Sequence, residues 1–209
     1  MKKQSSLYRV HPGVKMIQDW IKNLPEKTGK SLNEWVDLLE KTGPKDIKEQ
    51  KAWLKEKYNF GTNAAWWVAD YAEGILPWEG DPESYLIAAD QYVQSMFSGS
   101  KIGLLPLYDK LLEVILNIAP DVKACPCKTI VPIYRNYVFA QIKPTTKTRI
   151  DLGLALQKTP FSTRLIDTGG QAKKNRITHR IAITQLADID SEVIHWLKTA
   201  YQLDSHRQS

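Results

Sequence analysis

Cys125-Pro126-Cys127, the histidines at 11, 179, 195 and 206, and the charged residues around Arg149 and Asp151 are the groups from which this 209-residue chain could build chemistry. Two thiols one residue apart supply half of a structural zinc site. The other half would have to be His179 and His195, and neither has the paired spacing of a zinc motif. Redox use has its established mechanism in C-x-x-C at a helix start. The pair therefore reads as two reduced cysteines in the turn before a strand, and neither a metal nor another cofactor is expected. Thr28-Gly29-Lys30-Ser31 ends like a phosphate-binding loop, yet Leu24 stands where the first glycine belongs, and a helix precedes it instead of a strand. No G-x-S-x-G elbow frames a nucleophile. A metal-dependent nuclease needs clustered carboxylates, and Pro120-Asp121 followed by Gln141-Ile142-Lys143 has glutamine where the second acid belongs.

The strands offer more. In Arg149-Ile150-Asp151-Leu152-Gly153-Leu154 apolar residues alternate with Arg149 and Asp151, so the two charged side chains share the face opposite the core. The preceding strand sends Val138, Ala140 and Ile142 one way and Tyr137, Phe139, Gln141 and Lys143 the other. If these strands pair, Gln141, Lys143, Arg149 and Asp151 line one surface, joined by Thr178 and Arg180 from a later strand. His179 lies between those two and is a further candidate to hold an anion. The same pattern also describes an ordinary solvated sheet face.

Charge keeps the functional reading open. Residues 1–97 hold 13 Lys and Arg against 14 acids, whereas residues 98–209 hold 16 against 9. Between Lys123 and Arg180 twelve basic residues face only Asp151 and Asp167, a local balance of +10 that attracts anions. Six of the seven tryptophans lie in the first 80 residues, so the two halves differ in character.

These groups need elements to hold them. Ile17, Trp20, Ile21 and Leu24 mark a helix with Pro25 as its stop. Ser31 and Glu34 form a capping box ahead of Leu32, Trp35, Leu38 and Leu39, and Thr42-Gly43-Pro44 ends that helix. Further helices are predicted over 46–58 and 63–73, the latter through Ala64, Ala65, Trp67, Val68 and Tyr71. Asp81 and Pro82 open another helix, and Pro106 opens one that ends near Pro120. Strands follow over 128–135, 137–143, 148–156, 164–167 and 178–183, then a last helix over 188–201. This is an α+β organisation: a small helical bundle over 14–78, then a domain over 82–205 with an antiparallel sheet flanked by helices.

Two stretches are familiar in kind. Lys27-Thr28-Gly29-Lys30-Ser31-Leu32 with Trp35, Ala52-Trp53-Leu54-Lys55 and Asn59-Phe60-Gly61 resembles a small helical bacterial domain of unknown function. Pro106-Leu-Tyr-Asp-Lys-Leu, Pro120-Asp-Val, Lys128-Thr, Phe139-Ala140, Arg149-Ile-Asp-Leu-Gly-Leu, Thr178-His-Arg and Trp196-Leu-Lys-Thr-Ala-Tyr resemble its frequent fusion partner, sometimes labelled a predicted transport protein. The resemblance implies architecture and not an activity. A literal transporter is not expected, because the longest apolar stretch, Ile102 to Ala119, is broken by Asp109, Lys110, Glu113 and Asn117. Met-Lys-Lys-Gln-Ser-Ser leads into no apolar segment, so a cytoplasmic protein is expected.

Three functions remain. The first is a non-catalytic module holding an anionic partner, nucleic acid or a small phosphorylated or carboxylated ligand, on the basic sheet. The second is an enzyme on an anionic substrate, with Asp151 or His179 moving the proton. The third is a protein-interaction adaptor or homo-oligomer using Trp66 or Trp67, since adjacent tryptophans cannot both enter one helix stripe.

Overall fold

The computed structural model describes residues 7–74 and 81–205. Contacts divide the chain into two compact units, Val10–Tyr85 and Leu86–Ser209, the latter joined by the segment that ends at Arg9. The interval expected to separate domains, Trp78 to Pro82, lies largely outside the described residues, and the division by contacts falls between Tyr85 and Leu86.

The first unit is helical: α1 (Pro12–Thr28), α2 (Leu32–Thr42), α3 (Ile47–Tyr58) and α4 (Thr62–Ala72). Helix α1 runs through Pro25 and stops at Gly29, whose φ of 77° closes it. A proline inside a helix costs one backbone hydrogen bond. Here the Pro25 ring is exposed, while Leu24 is buried and the Thr28 hydroxyl takes the Trp35 indole N–H at 2.8 Å, so tertiary contacts on either side hold the last turn. The Ser31–Glu34 capping box starts α2. Leu24, Leu32, Trp35, Leu39, Leu54 and Val68 are central to a continuous core. On α4 the buried side is Ala65, Val68 and Ala69; Trp67 meets Trp20 edge-on at 5.0 Å, while Trp66 and Tyr71 are exposed.

The second unit is α+β. Helix α5 (Pro82–Met96) starts at Asp81, whose carboxylate accepts from the amides of Glu83 and Ser84. A 3₁₀ turn (Gly99–Leu104) leads into α6 (Leu105–Leu116). The strands are β1 (Lys123–Ala124), β2 (Val131–Tyr134), β3 (Val138–Pro144), β4 (Ile150–Leu154), β5 (Ile166–Asp167) and β6 (His179–Ile183), and α7 (Ser191–Ser205) follows them. They form one antiparallel sheet in the order β1-β2-β3-β4-β6-β5. Helix α7 packs along β3 and β4 and touches α6. Leu111, Ile115, Ile142, Leu152, Ile181 and Leu197 are fully buried in this unit.

A bulge corrects the expected orientation of Phe139. Ile133 pairs with Ala140, but the next residue, Tyr134, pairs with Val138, so Phe139 is an extra residue in β3. A bulge of this kind turns two successive side chains to one side. Phe139 and Ala140 are accordingly both fully buried, and Phe139 meets Tyr201 of α7 edge-on at 5.7 Å. Among the described residues no helix is long and apolar enough to cross a membrane.

Candidate functional site

Register decides which side chains meet. Lys143 lies opposite Asp151, Gln141 opposite Gly153, and Gly153 opposite Arg180. Directly paired residues share a face, and Arg149 shares the face of Asp151 two residues on. The face turned away from α7 therefore carries Gln141, Lys143, Arg149, Asp151 and Arg180. Gly153 lets Gln141 cross it: a Cβ there would lie 2.7 Å from Gln141 Cγ and 2.8 Å from Ile177 Cγ2.

Asp151 is the hub of this face. Its Oδ1 lies 2.9 Å from Arg149 Nε and 3.2 Å from Arg180 Nη1, and its Oδ2 accepts from Thr145 Oγ1 at 2.7 Å. Two guanidinium groups share one carboxylate, so the cluster keeps a positive charge and both forks are oriented. Lys143 stands exposed beside it.

The cluster opens into a cleft of about 610 Å³ that includes Ser98, Lys101, Lys128, Thr129, Lys143 and Thr145, with no carboxylate among its described lining residues. Lys101 Nζ donates to the Pro144 carbonyl at 2.6 Å, which fixes its stem across β3. Lys143 and Thr145 belong to both places, so lysines and hydroxyls of the cleft continue into the Arg149–Asp151–Arg180 cluster. Lys128 was visible in the sequence only as one of twelve basic residues. Lys101 carried no signal, because it lies 43 positions before the carbonyl that fixes it.

Thr178 and His179 do not join this surface. Along β6 His179 alternates with Arg180, so its ring enters the side facing the core, fully buried opposite Leu154. The Thr159 carbonyl, 2.9 Å from Nε2, can only accept, so Nε2 carries the hydrogen. Nδ1 then accepts from Thr178 Oγ1 at 2.7 Å, and that oxygen takes the Leu156 amide at 3.2 Å. Both side chains serve as internal hydrogen-bond partners that tie β6 to the loop after β4.

The basic excess is also smaller in the fold than in the sequence window. Arg135 pairs with Asp121 at 3.2 Å, Arg164 with Asp190 and Glu192 at 2.6 and 2.9 Å, and Arg176 with Asp204. All four acids lie outside Lys123–Arg180. The Tyr201 hydroxyl and Arg135 hold the Asp121 carboxyl below the usual carboxylate range. What the fold leaves uncompensated is concentrated in lysines, three of them at the cleft.

The remaining candidates have other settings. Cys125 and Cys127 are unbridged, and burial pushes the Cys125 thiol up to about 12. Among the described residues no group of three or more His, Cys, Asp or Glu is placed to hold a metal ion. His195 is exposed beside Trp196. Lys30 of the Thr28–Ser31 motif stands over the Trp35 ring at 5.9 Å, and Ser31 is spent on the α2 cap.

Residues 93–204 match the family described as Domain of unknown function (DUF5655). The chain belongs to that family. The DUF5655 match begins in α5, ends in α7 and contains the whole sheet, the cleft and the Asp151 cluster. Residues 16–74, all in the helical unit, match a second family, Domain of unknown function (DUF4287). No curated protein and no solved structure matches the chain.

Proposed function

We propose that the DUF5655 domain is a non-catalytic module that holds an anionic partner, foremost the phosphates of a nucleic acid, on the outer face of its sheet. The observation that carries this is the continuity of the carboxylate-free cleft at Lys101, Lys128 and Lys143 with the two guanidinium groups oriented by Asp151. Lysines act as exposed point charges that attract phosphate at a distance, and the guanidinium forks supply direction once it is close.

The aromatic residues argue for phosphate contacts over base stacking. Phe139 is buried, and the exposed Tyr137 ring carries the Arg176 guanidinium at 4.8 Å, so neither offers an open platform on this face. The enzymatic alternative is weaker. Asp151 is engaged by two arginines and a hydroxyl, and His179 points into the core, so both proposed proton carriers are occupied structurally.

Binding of single-stranded DNA, single-stranded RNA and a panel of phosphorylated metabolites, each measured at two salt concentrations, tests the reading. A nucleic-acid partner gives affinity that falls steeply with salt, and replacing Lys101, Lys128 and Lys143 by alanine flattens the slope by about 2, at roughly 0.7 for each single-strand phosphate released. Arg149→Lys keeps the charge but loses the fork and weakens binding by about 1 to 3 kcal/mol. If no anion binds the wild type, or Arg149→Ala binds as well as the wild type, the face is an ordinary solvated surface.

A further inference from the structure

The DUF5655 domain has a second basic concavity, formed by the loop after β4 and the loop before β6 against the end of α7. It holds about 550 Å³ and is lined by Gln157, Lys158, Lys174, Arg176 and Asp204 over an apolar floor of Ala155 and Leu203. We propose that this pocket binds a small phosphomonoester, independently of the outer sheet face.

Charge points to the ligand. Asp204 is consumed: it pairs with Arg176 and accepts from the amides of Asn136 and Tyr137 at 2.8 and 3.0 Å. Arg176 is held in turn, donating through Nε to the Val138 carbonyl and lying over the Tyr137 ring. These two cancel and form a fixed wall. Lys158 and Lys174 have no ion-pair partner among the described residues, which leaves two positive charges at a concavity. A phosphomonoester carries between about 1.5 and 2 negative charges at neutral pH. The volume is in the range of sites for small organic molecules and exceeds what a bare phosphate needs, so the apolar floor is available to the body of an ester.

The backbone is bent to present these side chains. Among the described residues only Asn59, Gln157 and Lys174 combine a positive φ with a side chain, and the last two, at 54° each, both line this pocket. Asn59 caps a helix, where asparagine is ordinary. Gln and Lys are not residues that a left-handed position selects, and glycine would take the same conformation without steric conflict. Strain of this kind marks functional loops when the surroundings enforce it. They do so here: Gln171 Nε2 donates to the Gln157 carbonyl at 2.8 Å, linking the two loops, and Asn175 N donates to the Gly170 carbonyl at 2.8 Å.

The test uses the full chain with adenosine 5′-monophosphate and phenyl phosphate against adenosine and phenol, read by calorimetry and by amide shifts in 155–158 and 171–176. Phosphorylated probes bind and shift these amides, and their unphosphorylated counterparts do not. Lys158→Ala weakens binding at least tenfold. Lys174→Gly and Lys174→Ala lose binding alike, yet Lys174→Gly melts higher than Lys174→Ala because it relieves the left-handed strain, which separates ligand contact from loop integrity. Arg149→Ala leaves this binding intact, so failure of the outer face and failure of the pocket are distinguishable. The proposal is overturned if neither phosphorylated probe binds, if benzoate binds as tightly as phenyl phosphate, or if the Lys158 and Lys174 variants bind like the wild type.

Discussion

Asp204 shows how much one side chain of this fold carries. Its buried carboxylate satisfies two backbone amides at the β2–β3 turn and one guanidinium from the loop before β6. Replacing it with alanine strands donors that have been taken from water, so Asp204→Ala destabilises the domain by about 2 to 4 kcal/mol, and Asp204→Asn by less because one acceptor oxygen remains. Chemical denaturation checks the order of the two variants. Burial governs the thiols just as directly. The Cys125 shift from 9.0 to about 12 lowers its thiolate fraction roughly a thousandfold, so alkylation at neutral pH is slow in the folded protein and fast after unfolding, which mass spectrometry of trapped adducts reads directly. At this scale the sequence was legible where alternation held. Arg149 and Asp151 share a face because they are two residues apart in a regular strand. The same rule, applied strictly along β6, already separates His179 from Arg180 and Thr178, and grouping all three followed sequence adjacency instead of strand geometry. Lys101 was not legible, because only the tertiary fold brings the turn after α5 to the end of β3.

Elements were legible in proportion to their length and their local signals. The capping box at Ser31, the Asp81–Pro82 start and the long apolar stripe of α6 all depend on residues within one or two turns of each other. Helix α1 passes its expected stop because Leu24 and Thr28 are anchored on both sides of Pro25, a contact that no local pattern encodes. The two-residue strand β1 is too short to show a period, and the bulge at Phe139 is a property of the β2–β3 pairing, not of β3 alone. The start of α7 depends on distant residues too. Asp190 accepts from the amides of Glu192 and Val193 while Arg164, from the loop before β5, pairs with Asp190 and Glu192. Arg164, followed by the Val193 amide, holds the Asp190 carboxyl below its ordinary range. A carboxyl depressed in the folded state stabilises above its unfolded value, and that stabilisation is lost as pH falls through the folded value. Arg164→Ala therefore lowers the melting temperature at neutral pH, and the gap from the wild type closes on acidification below the usual carboxylate range. Melting curves across that interval test the sign, and a gap that widens in acid would contradict the assignment.

At the scale of the whole molecule, charge counted along a window misjudges charge placed in space. Asp121, Asp190, Glu192 and Asp204 lie outside the basic stretch and return to three of its arginines, so the residual field belongs to lysines at the cleft and at the loop pocket. Contact along the chain is equally non-local at the N-terminal side. Tyr8 reaches past the entire helical unit: its hydroxyl lies 2.9 Å from that of Tyr108 on α6, both rings are buried, and the Arg9 amide donates to the Ala124 carbonyl at 2.9 Å. The division proposed for the chain, two units that each fold on their own core, then makes a specific demand. The helical core of Leu24, Trp35, Leu39, Leu54 and Val68 contains nothing from residues 7–9, so removing the Tyr8 hydroxyl should be felt only by the α+β unit. Tyr8→Phe withdraws a hydrogen-bond partner from the buried Tyr108 hydroxyl, which costs about 1 to 3 kcal/mol. Limited proteolysis should cut first near 75–81 and leave two resistant fragments. Calorimetry of the intact chain should resolve two transitions, of which Tyr8→Phe lowers only the one that hydrogen exchange assigns to the sheet. One cooperative transition that shifts as a whole, or a chain that resists cutting in that interval, would show a single folding unit and defeat the two-domain proposal.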